Sequence, residues 1–504
     1  MRGFFLSFHA RFRDSTSASH DTLRGWKIPA AALGRPCAAS RQRQQSVAVP
    51  SWGYPRPGFE HAIVRSMNAP QTVDLRIDAR WIVPIEPAGT LVDHALVVDA
   101  GRIAALVPQS EAGSRYSPRR HVELPQHVLL PGLVNAHTHT AMTLLRGIAD
   151  DVPLHAWLAE HIWPREGKYL SPEFVLDGTL LGAAEMLAGG VTCCNDMYFF
   201  PDAAAEAYRM AGIRAVIGLA VVDFPTPYAA DADAYLQQGL AARDRYKHVP
   251  RLAFALAPHA PYTVGDATWA KVIMYARQLD LPIHTHLAET QSEVDQARAS
   301  TGESPLARLD RLGATGPGFI GAHAVHVAPS EMYLLAAQRC HVVHCPASNM
   351  KLGSGIAPVA QFMQAGINVA LGTDGAASNN RLDVLGDMRL AGLLSKVATG
   401  DAASLPAAAL LRMATLNGAA ALGMEAEIGS LLPGKAADII AVDLGASDVA
   451  PVYDVLSHLV YVAGREHVTH VWIEGDPLVA DRRHAQLDSA AILARARAWQ
   501  QRLQ

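Results

Sequence analysis

Two histidines separated by one residue, His137 and His139, have the type and spacing of metal ligands. They follow an apolar run, Val128-Leu129-Leu130, and a Pro131-Gly132 turn. In a β-strand, residues i and i+2 point to the same face, and their backbones lie roughly 6.5 to 7 Å apart. One metal ion bridges two imidazoles at that separation, so the pair predicts a metal site at a strand end.

Further polar side chains occur at the ends of later segments that have the composition of buried strands. A hydrophobic barrel has no packing reason to place many imidazoles and carboxylates there, so their joint placement favours a metal-dependent site. The residues in question are His259, His284, His286, Glu289, His323, His326, His341, His344 and Asp374.

The chemistry of these residue types is that of a hydrolase. Three neutral imidazoles and one carboxylate form a mononuclear site suited to Zn²⁺ or Fe²⁺, with an open position for water. Such an ion lowers the pKa of bound water from about 15.7 towards ~7. Glu289 lies three residues beyond His286 and is expected to face the cavity as a general acid or base. We expect His323 and Asp374 to share the task of orienting or deprotonating the water.

The histidine pairs are only partly distinguished by their positions. His284 and His286 share a strand face, so alternation does not choose between them, and the position nearer the strand end favours His286. His326 falls in a loop and is expected at the rim. His341 and His344 have opposite parity, so one of them is expected to face the helices, and we interpret both as structural.

The segment 131–424 has the pattern of strands alternating with helices. Stretches with helical spacing, such as Phe174–Ala188 and Asp266–Leu279, separate most of the strands. This alternation predicts an α/β fold, a (β/α)8 barrel of the TIM type. The predicted strand cores are Leu129–Val134, Val191–Asn195, Ala215–Val221, Leu252–Ala257, Ile283–His286, Phe319–His323, His341–His344 and Val369–Gly372.

Doubly wound domains are the alternative architecture for alternating strands and helices. A dinucleotide-binding domain of that kind needs a Gly-x-Gly-x-x-Gly turn after a strand, and none is present. The stretch Gly353-Ser-Gly355 lacks that spacing, and we interpret it as an ordinary loop.

Both ends of the chain have the pattern of a small antiparallel sheet, with short alternating segments punctuated by Gly and Pro. We predict that one small β-sandwich domain is built from 67–130 and 425–488 and brackets the barrel at 131–424. Residues 489–504 are predicted to form a C-terminal helix with an Ala, Leu and Trp face.

The first 66 residues differ from the rest of the chain. They contain nine Arg and one Lys against three acidic residues, a net charge of +7, and show no sustained periodicity. An Arg-rich, acid-poor start is also typical of a transit peptide. We favour a disordered extension, or translated sequence upstream of a true start at Met67, because strand-like patterning begins just after that residue.

The composition restricts the class of protein and its partners. The 504 residues are 50% hydrophobic and 18% charged, and no window approaches the ~18 to 20 unbroken apolar residues of a membrane span. A net charge of −4 gives no reason to expect a nucleic acid or a membrane as partner. Five cysteines in a chain of this length are typical of reduced thiols, so we expect a cytoplasmic protein.

Several stretches together resemble the amidohydrolase superfamily. Within it they are most similar to the deaminases of 5'-methylthioadenosine and S-adenosylhomocysteine, a branch grouped with triazine hydrolases. The resemblance covers about 75–478. It is carried by Pro131–His139, Leu145–Leu154, Trp157-Leu158, Ile162–Glu166, Pro258–Tyr262, His286–Thr290, His323, Cys345–Leu352 and Leu371–Asn379.

The resemblance implies a single divalent metal, with Zn²⁺ first and Fe²⁺ as the alternative. It implies that Glu289 shuttles a proton to the ring nitrogen of the substrate and that His323 assists the metal-bound water. The implied metal ligands are His137, His139, His286 and Asp374.

The resemblance also implies a small nucleoside as substrate. Glu166 matches the family's contact to the ribose hydroxyls, and His259 matches a further substrate contact, beside Glu289 and Asp374. Two arginines that contact the nucleoside in some relatives have no clear counterpart near Gly218–Tyr235. That departure disfavours S-adenosylhomocysteine, with its charged tail, relative to 5'-methylthioadenosine.

We therefore predict hydrolytic deamination of a thioether adenosine to the inosine derivative and ammonia. The first alternative is a deaminase or hydrolase of a bare heterocycle such as guanine or a triazine, for which a ribose-binding Glu166 has no obvious use. Cyclic-amide hydrolysis usually needs a lysine on the fourth strand, and Leu252–His259 contains none. A non-catalytic scaffold predicts a degraded ligand, and none is degraded. Homo-oligomerisation is expected only by analogy.

Overall fold

A computed structural model of the protein describes residues 69–504. The predicted extension at 1–66 lies outside the described residues. Within 69–504, the helices fall short of the length and apolar character that a bilayer-crossing segment needs.

The described chain opens with four strands that belong to one sheet: β1 (Gln71–Ile82), β2 (Leu91–Asp99), β3 (Arg102–Pro108) and β4 (Tyr116–Pro131). Along β1, the side chains of Val73, Leu75 and Ile77 are buried while the residues between them keep partial exposure. This alternation is what a sheet with one covered face requires. β1 pairs antiparallel with β2 and parallel with β4.

Eight parallel strands form the second sheet, in which every neighbour in sequence is also a neighbour in space. The last strand returns to the first, because the backbone N–H of Asp374 donates to the carbonyl of His137 at 3.0 Å. The predicted (β/α)8 fold class is confirmed. The strands are β5 (Leu133–Thr138), β6 (Val191–Tyr198), β7 (Arg214–Val221), β8 (Leu252–Pro258), β9 (Ile283–Leu287), β10 (Phe319–His323), β11 (His341–His344) and β12 (Asn368–Leu371).

The first predicted strand core, Leu129–Val134, is divided between the two sheets. Its residues up to Pro131 belong to β4, and the barrel strand begins only at Leu133. Gly132 separates the two strands, and a Cβ built on it would lie 1.9 Å from the Thr192 hydroxyl oxygen. The predicted strand core Leu129–Val134 was therefore wrong, because the apolar residues on the two sides of Gly132 belong to different sheets.

Helices follow the barrel strands and cover the outside of the barrel. Polar residues at helix starts cap them: the Ser171 hydroxyl accepts from the Phe174 N–H at 3.1 Å, and the Asp231 carboxylate accepts from the Ala234 N–H at 2.9 Å. The helices are Pro172–Ala188, Pro201–Ala211, Ala232–Tyr246, Asp266–Leu279, Gln291–Thr301, Pro305–Leu312, Pro329–Ala337, Pro346–Lys351, Val359–Gln364, Ala376–Asn379, Val384–Thr399, Ala407–Met413 and Leu416–Ala421.

Three short helical pieces extend the connection between β5 and the helix Pro172–Ala188. They are Leu154–Ala156, the π-helical turn Trp157–Ile162, and Trp163–Tyr169. This insertion lies at the end of the barrel where β5 finishes.

The chain then returns to the first sheet with β13 (Ile439–Asp443), β14 (Val468–Ile473), β15 (Asp476–Ala480) and β16 (Arg483–His484). β13 pairs antiparallel with β4, so both ends of the chain contribute to one sheet in the order β16-β15-β14-β13-β4-β1-β2-β3. The prediction that both chain ends build one β domain is confirmed, because both contribute strands to this eight-stranded sheet. The exact division at 67–130, 131–424 and 425–488 stays a prediction.

The C-terminal segment forms the helix Ser489–Leu503. Its Trp499 is buried, and the indole N–H donates to the Asp177 carboxylate on the helix Pro172–Ala188 at 2.9 Å. The last helix is thereby held against the outside of the barrel.

Apolar residues from seven of the eight barrel strands form one cluster separate from the main core. Most are small or β-branched, as in a filled barrel interior, so the polar side chains of the barrel lie above a packed apolar interior. The cluster includes Val134, Cys193, Val216, Ala255, Ile320, Val343 and Ala370.

Candidate active site

Five side chains with metal-binding atoms meet at the carboxyl ends of the barrel strands. His137 lies on β5 and His139 follows it, His286 lies on β9, His323 ends β10, and Asp374 follows β12. All parallel strands of a barrel have their carboxyl ends on the same face. This brings together residues as far apart in the chain as His137 and Asp374, which are separated by 237 positions. The His139 side chain keeps 12% of its exposure, and the other four are buried.

Atoms of these side chains converge on one point. Asp374 Oδ1 lies 3.3 Å from His137 Nε2 and 3.1 Å from His139 Nε2, and His139 Nε2 lies 3.1 Å from His286 Nε2. Tetrahedral Zn–N bonds place ligand atoms roughly 3.3 Å apart. Donor atoms of His137, His286, His323 and Asp374 all lie within 4.8 Å of one another. The spacing fits one divalent ion.

Backbone carbonyl oxygens hold the outer nitrogens of two of the histidines, His139 and His286. His139 Nδ1 donates to the Met197 carbonyl at 2.6 Å, and His286 Nδ1 donates to the His259 carbonyl at 2.6 Å. A carbonyl only accepts, so both Nε2 atoms present a lone pair to the centre. His137 Nε2 is buried with no hydrogen-bond partner among the described residues. An uncompensated nitrogen of this kind fits a metal ligand.

The structure shows which histidine of each pair lies at the centre, a question that strand alternation did not answer. His284 Nε2 lies 2.8 Å from the outer nitrogen of His137, so His284 supports a residue of the centre, whereas His286 contributes to the centre itself. His344 is buried, which lowers its pKa to about 3. His341 is the first residue of β11, and its Nε2 donates a hydrogen bond to the Pro317 carbonyl at 3.0 Å.

Asp374 presents its two oxygens in different directions. Oδ1 faces His137 and His139, while Oδ2 accepts hydrogen bonds from the hydroxyls of Ser348 and Ser378, each at 2.6 Å. Burial by itself raises the pKa of Asp374, but the adjacent imidazoles of His137 and His139 hold it well below its ordinary value. The carboxylate is therefore ionised and fixed in orientation.

Glu289 is buried beside the centre. Its Oε1 accepts from the Ser354 hydroxyl at 3.1 Å, and its Oε2 lies 3.8 Å from His323 Nε2. Burial raises the pKa of Glu289. The backbone N–H of Glu289 donates to the Glu293 carboxylate at 2.8 Å, which fixes the main chain behind it.

A cavity of about 900 Å³, including its open mouth, rises from this centre. Its wall is largely apolar and aromatic, as is usual for a pocket that binds an organic ligand. The wall contains no Lys or Arg among the residues of 69–504 that line it. The lining includes Met142, Leu154, Trp157, Trp163, Phe199, Phe224 and Tyr262.

Glu166 and His259, which the resemblance implied to be substrate contacts, both line the cavity. The Tyr198 hydroxyl donates to Glu166 Oε1 at 2.7 Å, and burial of the carboxylate raises the pKa of Glu166 to about 7. His259 Nδ1 lies 3.1 Å from the Thr263 hydroxyl, and burial lowers the pKa of His259 to about 3. The His259 imidazole is therefore neutral and can form hydrogen bonds without carrying a charge.

The sequence analysis did not identify the residues that hold the polar side chains of the site by hydrogen bonds. Ser348, Asn349 and Ser378 lie in stretches that carry the family resemblance, so their position held a signal. Tyr198 extends β6 beyond its predicted core. Ser354 lies in the loop interpreted as ordinary, and no local pattern distinguishes it.

A barrel of eight parallel strands with imidazoles and a carboxylate converging at its carboxyl ends defines the class of metal-dependent barrel hydrolases. The model described as the amidohydrolase family matches residues 128–478. The chain therefore belongs to the amidohydrolase family, which confirms the predicted resemblance.

Individual relatives show which members of the family this chain is similar to. A protein of Teredinibacter turnerae named 5-methylthioadenosine/S-adenosylhomocysteine deaminase is 44% identical over 87% of this chain and 99% of its own length. A crystal structure described as an adenosine deaminase from Xanthomonas campestris with bound zinc is 48% identical, with a TM-score of 0.85, over 86% of this chain and 99% of that one.

A solved structure with lower sequence identity has a similar fold and is named for a different reaction. Atrazine chlorohydrolase from Arthrobacter aurescens, complexed with zinc, is 26% identical with a TM-score of 0.79, over 84% of this chain and 99% of that one.

Proposed function

We propose that the protein is a metal-dependent hydrolytic deaminase that converts 5'-methylthioadenosine to its inosine derivative and ammonia. One observation carries the proposal: a metal-binding centre lies at the floor of an aromatic cavity that holds two further carboxylates, Glu289 at the centre and Glu166 on the wall. The names of the relatives from Teredinibacter turnerae and Xanthomonas campestris support the same class of reaction.

We assign the metal, Zn²⁺ first, to His137, His139, His286 and Asp374. When bound, the ion supplies an activated water at neutral pH. His139 is preferred over His323 because its Nε2 lies 3.1 Å from both Asp374 Oδ1 and His286 Nε2. His323 Nε2 faces Glu289, and its Nδ1 is held by the Asn349 side chain at 2.8 Å, so it is placed to orient a water.

Proton transfer falls to residues of the chain. Net addition of water to C6 of the adenine, followed by loss of ammonia, requires protons to reach the ring nitrogen and the departing amino group. Glu289 is placed to carry them, because it is buried beside the centre with Oε2 facing His323, and burial raises its pKa. His323 and the ionised Asp374 accept the proton that the attacking water gives up.

The wall of the cavity selects the nucleoside. Glu166 accepts hydrogen bonds from the ribose hydroxyls, with Tyr198 fixing its orientation, and His259 makes a further contact to the substrate. The apolar lining beyond Glu166 suits a methylthio group. A homocysteine carboxylate finds no Lys or Arg among the described lining residues, so we rank 5'-methylthioadenosine and adenosine above S-adenosylhomocysteine.

A groove beside the cavity contains an arginine, but this side chain is already bonded and does not provide a partner for the homocysteine carboxylate. The groove shares Trp163, Phe224 and Tyr262 with the cavity and contains Arg308. The guanidinium of Arg308 is committed to the Asp266 carboxylate and to the Val264 carbonyl at 3.0 Å. A charged amino-acid tail that extended into the groove would have to break these bonds.

The test compares four substrates on one zinc-loaded preparation. We measure ammonia release and the ultraviolet change from adenine to hypoxanthine with 5'-methylthioadenosine, adenosine, S-adenosylhomocysteine and guanine. We expect 5'-methylthioadenosine to exceed the homocysteine derivative by roughly tenfold or more in kcat/KM, as for an unpaired carboxylate in an apolar site. Turnover of guanine alone would overturn the nucleoside assignment and favour a bare-heterocycle deaminase.

A further inference from the structure

Ser354 has no role assigned above, yet its hydroxyl contacts Glu289, which is buried beside the centre. Ser354 follows the helix Pro346–Lys351, is 5% exposed, and its hydroxyl donates to Glu289 Oε1 at 3.1 Å. Glu289 is the only hydrogen-bond acceptor of this hydroxyl within 69–504. The contact therefore has one direction: Ser354 donates, and Oε1 accepts.

The turn that carries Ser354 is anchored on both sides. The Ser354 N–H donates to the Asn349 carbonyl at 2.8 Å, and His326 Nε2 donates to the Ser354 carbonyl at 2.7 Å. Gly355 has φ +124, and a Cβ built there would lie 3.0 Å from Val325 Cγ1. The turn needs glycine at this position and is held against the loop after β10, so the hydroxyl is fixed in place.

The helix before this turn holds His323, the second residue placed to handle a proton. The Asn349 side-chain oxygen accepts from His323 Nδ1 at 2.8 Å, while Ser354 holds Glu289. His323 and Glu289 face each other across 3.8 Å. One short stretch, 349–355, thus fixes both partners of that pair.

We propose that Ser354 is a positioning residue that decides which oxygen of Glu289 carries the transferred proton. Because the hydroxyl occupies Oε1, the proton resides on Oε2, the oxygen that faces His323. Ser354 acts only through Glu289 and touches no substrate. The inference deepens the proposed deaminase function and rests on it.

Loss of the hydroxyl lets the carboxyl group rotate and hold its proton on either oxygen. We expect Ser354→Ala to lower kcat roughly tenfold to a hundredfold, as for a lost hydrogen bond to a charged group. KM for 5'-methylthioadenosine and the zinc content should stay within twofold, because Ser354 contacts neither. Ser354→Thr keeps the hydroxyl and should recover most of kcat.

The experiment compares full-length, zinc-loaded variants with matched controls. Ser430→Ala removes another buried hydroxyl, one without a hydrogen-bond partner among the described residues, and should leave kcat unchanged. In a Glu289→Gln background, Ser354→Ala should cause no further loss, since its effect passes through Glu289. Thermal unfolding of each variant identifies a change caused only by destabilisation.

The outcomes separate this inference from the proposed function. An unchanged kcat in Ser354→Ala, a loss confined to KM or zinc content, or an equal loss in the Glu289→Gln background would overturn the positioning role. A wild-type protein that deaminates none of the nucleosides would overturn the proposed function instead.

Discussion

The floor and the wall of the cavity are built by different means. The floor consists of side chains at strand ends, and its imidazoles and carboxylate are each held by a further hydrogen bond, such as those from Ser348 and Ser378 to Asp374. The wall includes the short helical pieces Leu154–Ala156, Trp157–Ile162 and Trp163–Tyr169, which are mostly apolar and partly exposed.

This difference fits the different requirements of metal binding and ligand selection. A metal centre needs its ligands fixed to within about 0.2 Å, which barrel strands and paired hydrogen bonds provide. A wall that selects a ligand needs shape and few polar groups, and an inserted segment changes these without disturbing the barrel. The π-helical turn within the insertion fits this interpretation, because such turns are frequent at functional sites.

The largest expected effect is on the floor, where Glu289→Gln removes the carboxyl that carries the proton. We expect kcat to fall roughly a thousandfold, within the range for general acid–base catalysis, while zinc content stays unchanged. Metal analysis and steady-state kinetics measure both quantities. Asp374→Asn is the contrasting variant, in which zinc itself should be lost. Normal turnover in Glu289→Gln would contradict the role of this residue.

The support of Asp374 is the next point at which the floor can be tested. Ser378→Ala removes one of the two hydrogen bonds to Oδ2, and we expect zinc affinity to fall roughly tenfold to a hundredfold. Competition with a chromophoric chelator measures the affinity, with Ser430→Ala as the control. If Ser378→Ala binds zinc as tightly as the unchanged protein, the carboxylate does not depend on these hydroxyls.

On the wall, the pH dependence of binding tests Glu166. Burial raises its pKa to about 7, so the carboxylate is protonated below that pH and ionised above it. Only the ionised form accepts two ribose hydrogen bonds, so KM should fall as pH rises, by roughly tenfold between pH 6 and 8. Glu166→Gln should remove this change. A pH profile that persists in Glu166→Gln would assign it to another group.

The smallest expected effect lies at the mouth of the cavity. Trp163 lines the wall, and its ring lies 6.1 Å from that of Phe224. Trp163→Ala should raise KM for 5'-methylthioadenosine roughly fourfold, the value of one apolar group no longer buried, with less change for adenosine. Equal changes for both nucleosides would show that Trp163 does not contact the 5' substituent.

Much of the fold was predictable because its pattern is local. Alternation of strands and helices identified the barrel, and seven of the strand positions need only small changes at their ends. The first strand was misplaced, because periodicity does not show that the apolar run through Leu129 and Leu133 crosses from one sheet to the other. Only the pairing of β4 with β13 reveals the boundary.

Residue types and their spacing indicated which chemistry the site could hold, namely imidazoles and carboxylates at strand ends with Glu289 nearby, and the family resemblance added Glu166. The tertiary structure alone decided which atoms meet. Closure of the barrel brings Asp374 to His137, 237 positions away, and separates His286 from His284 on the same strand face. It also brings Ser354 to Glu289. Strand periodicity is a local property, whereas contacts between distant strands depend on how the whole sheet closes.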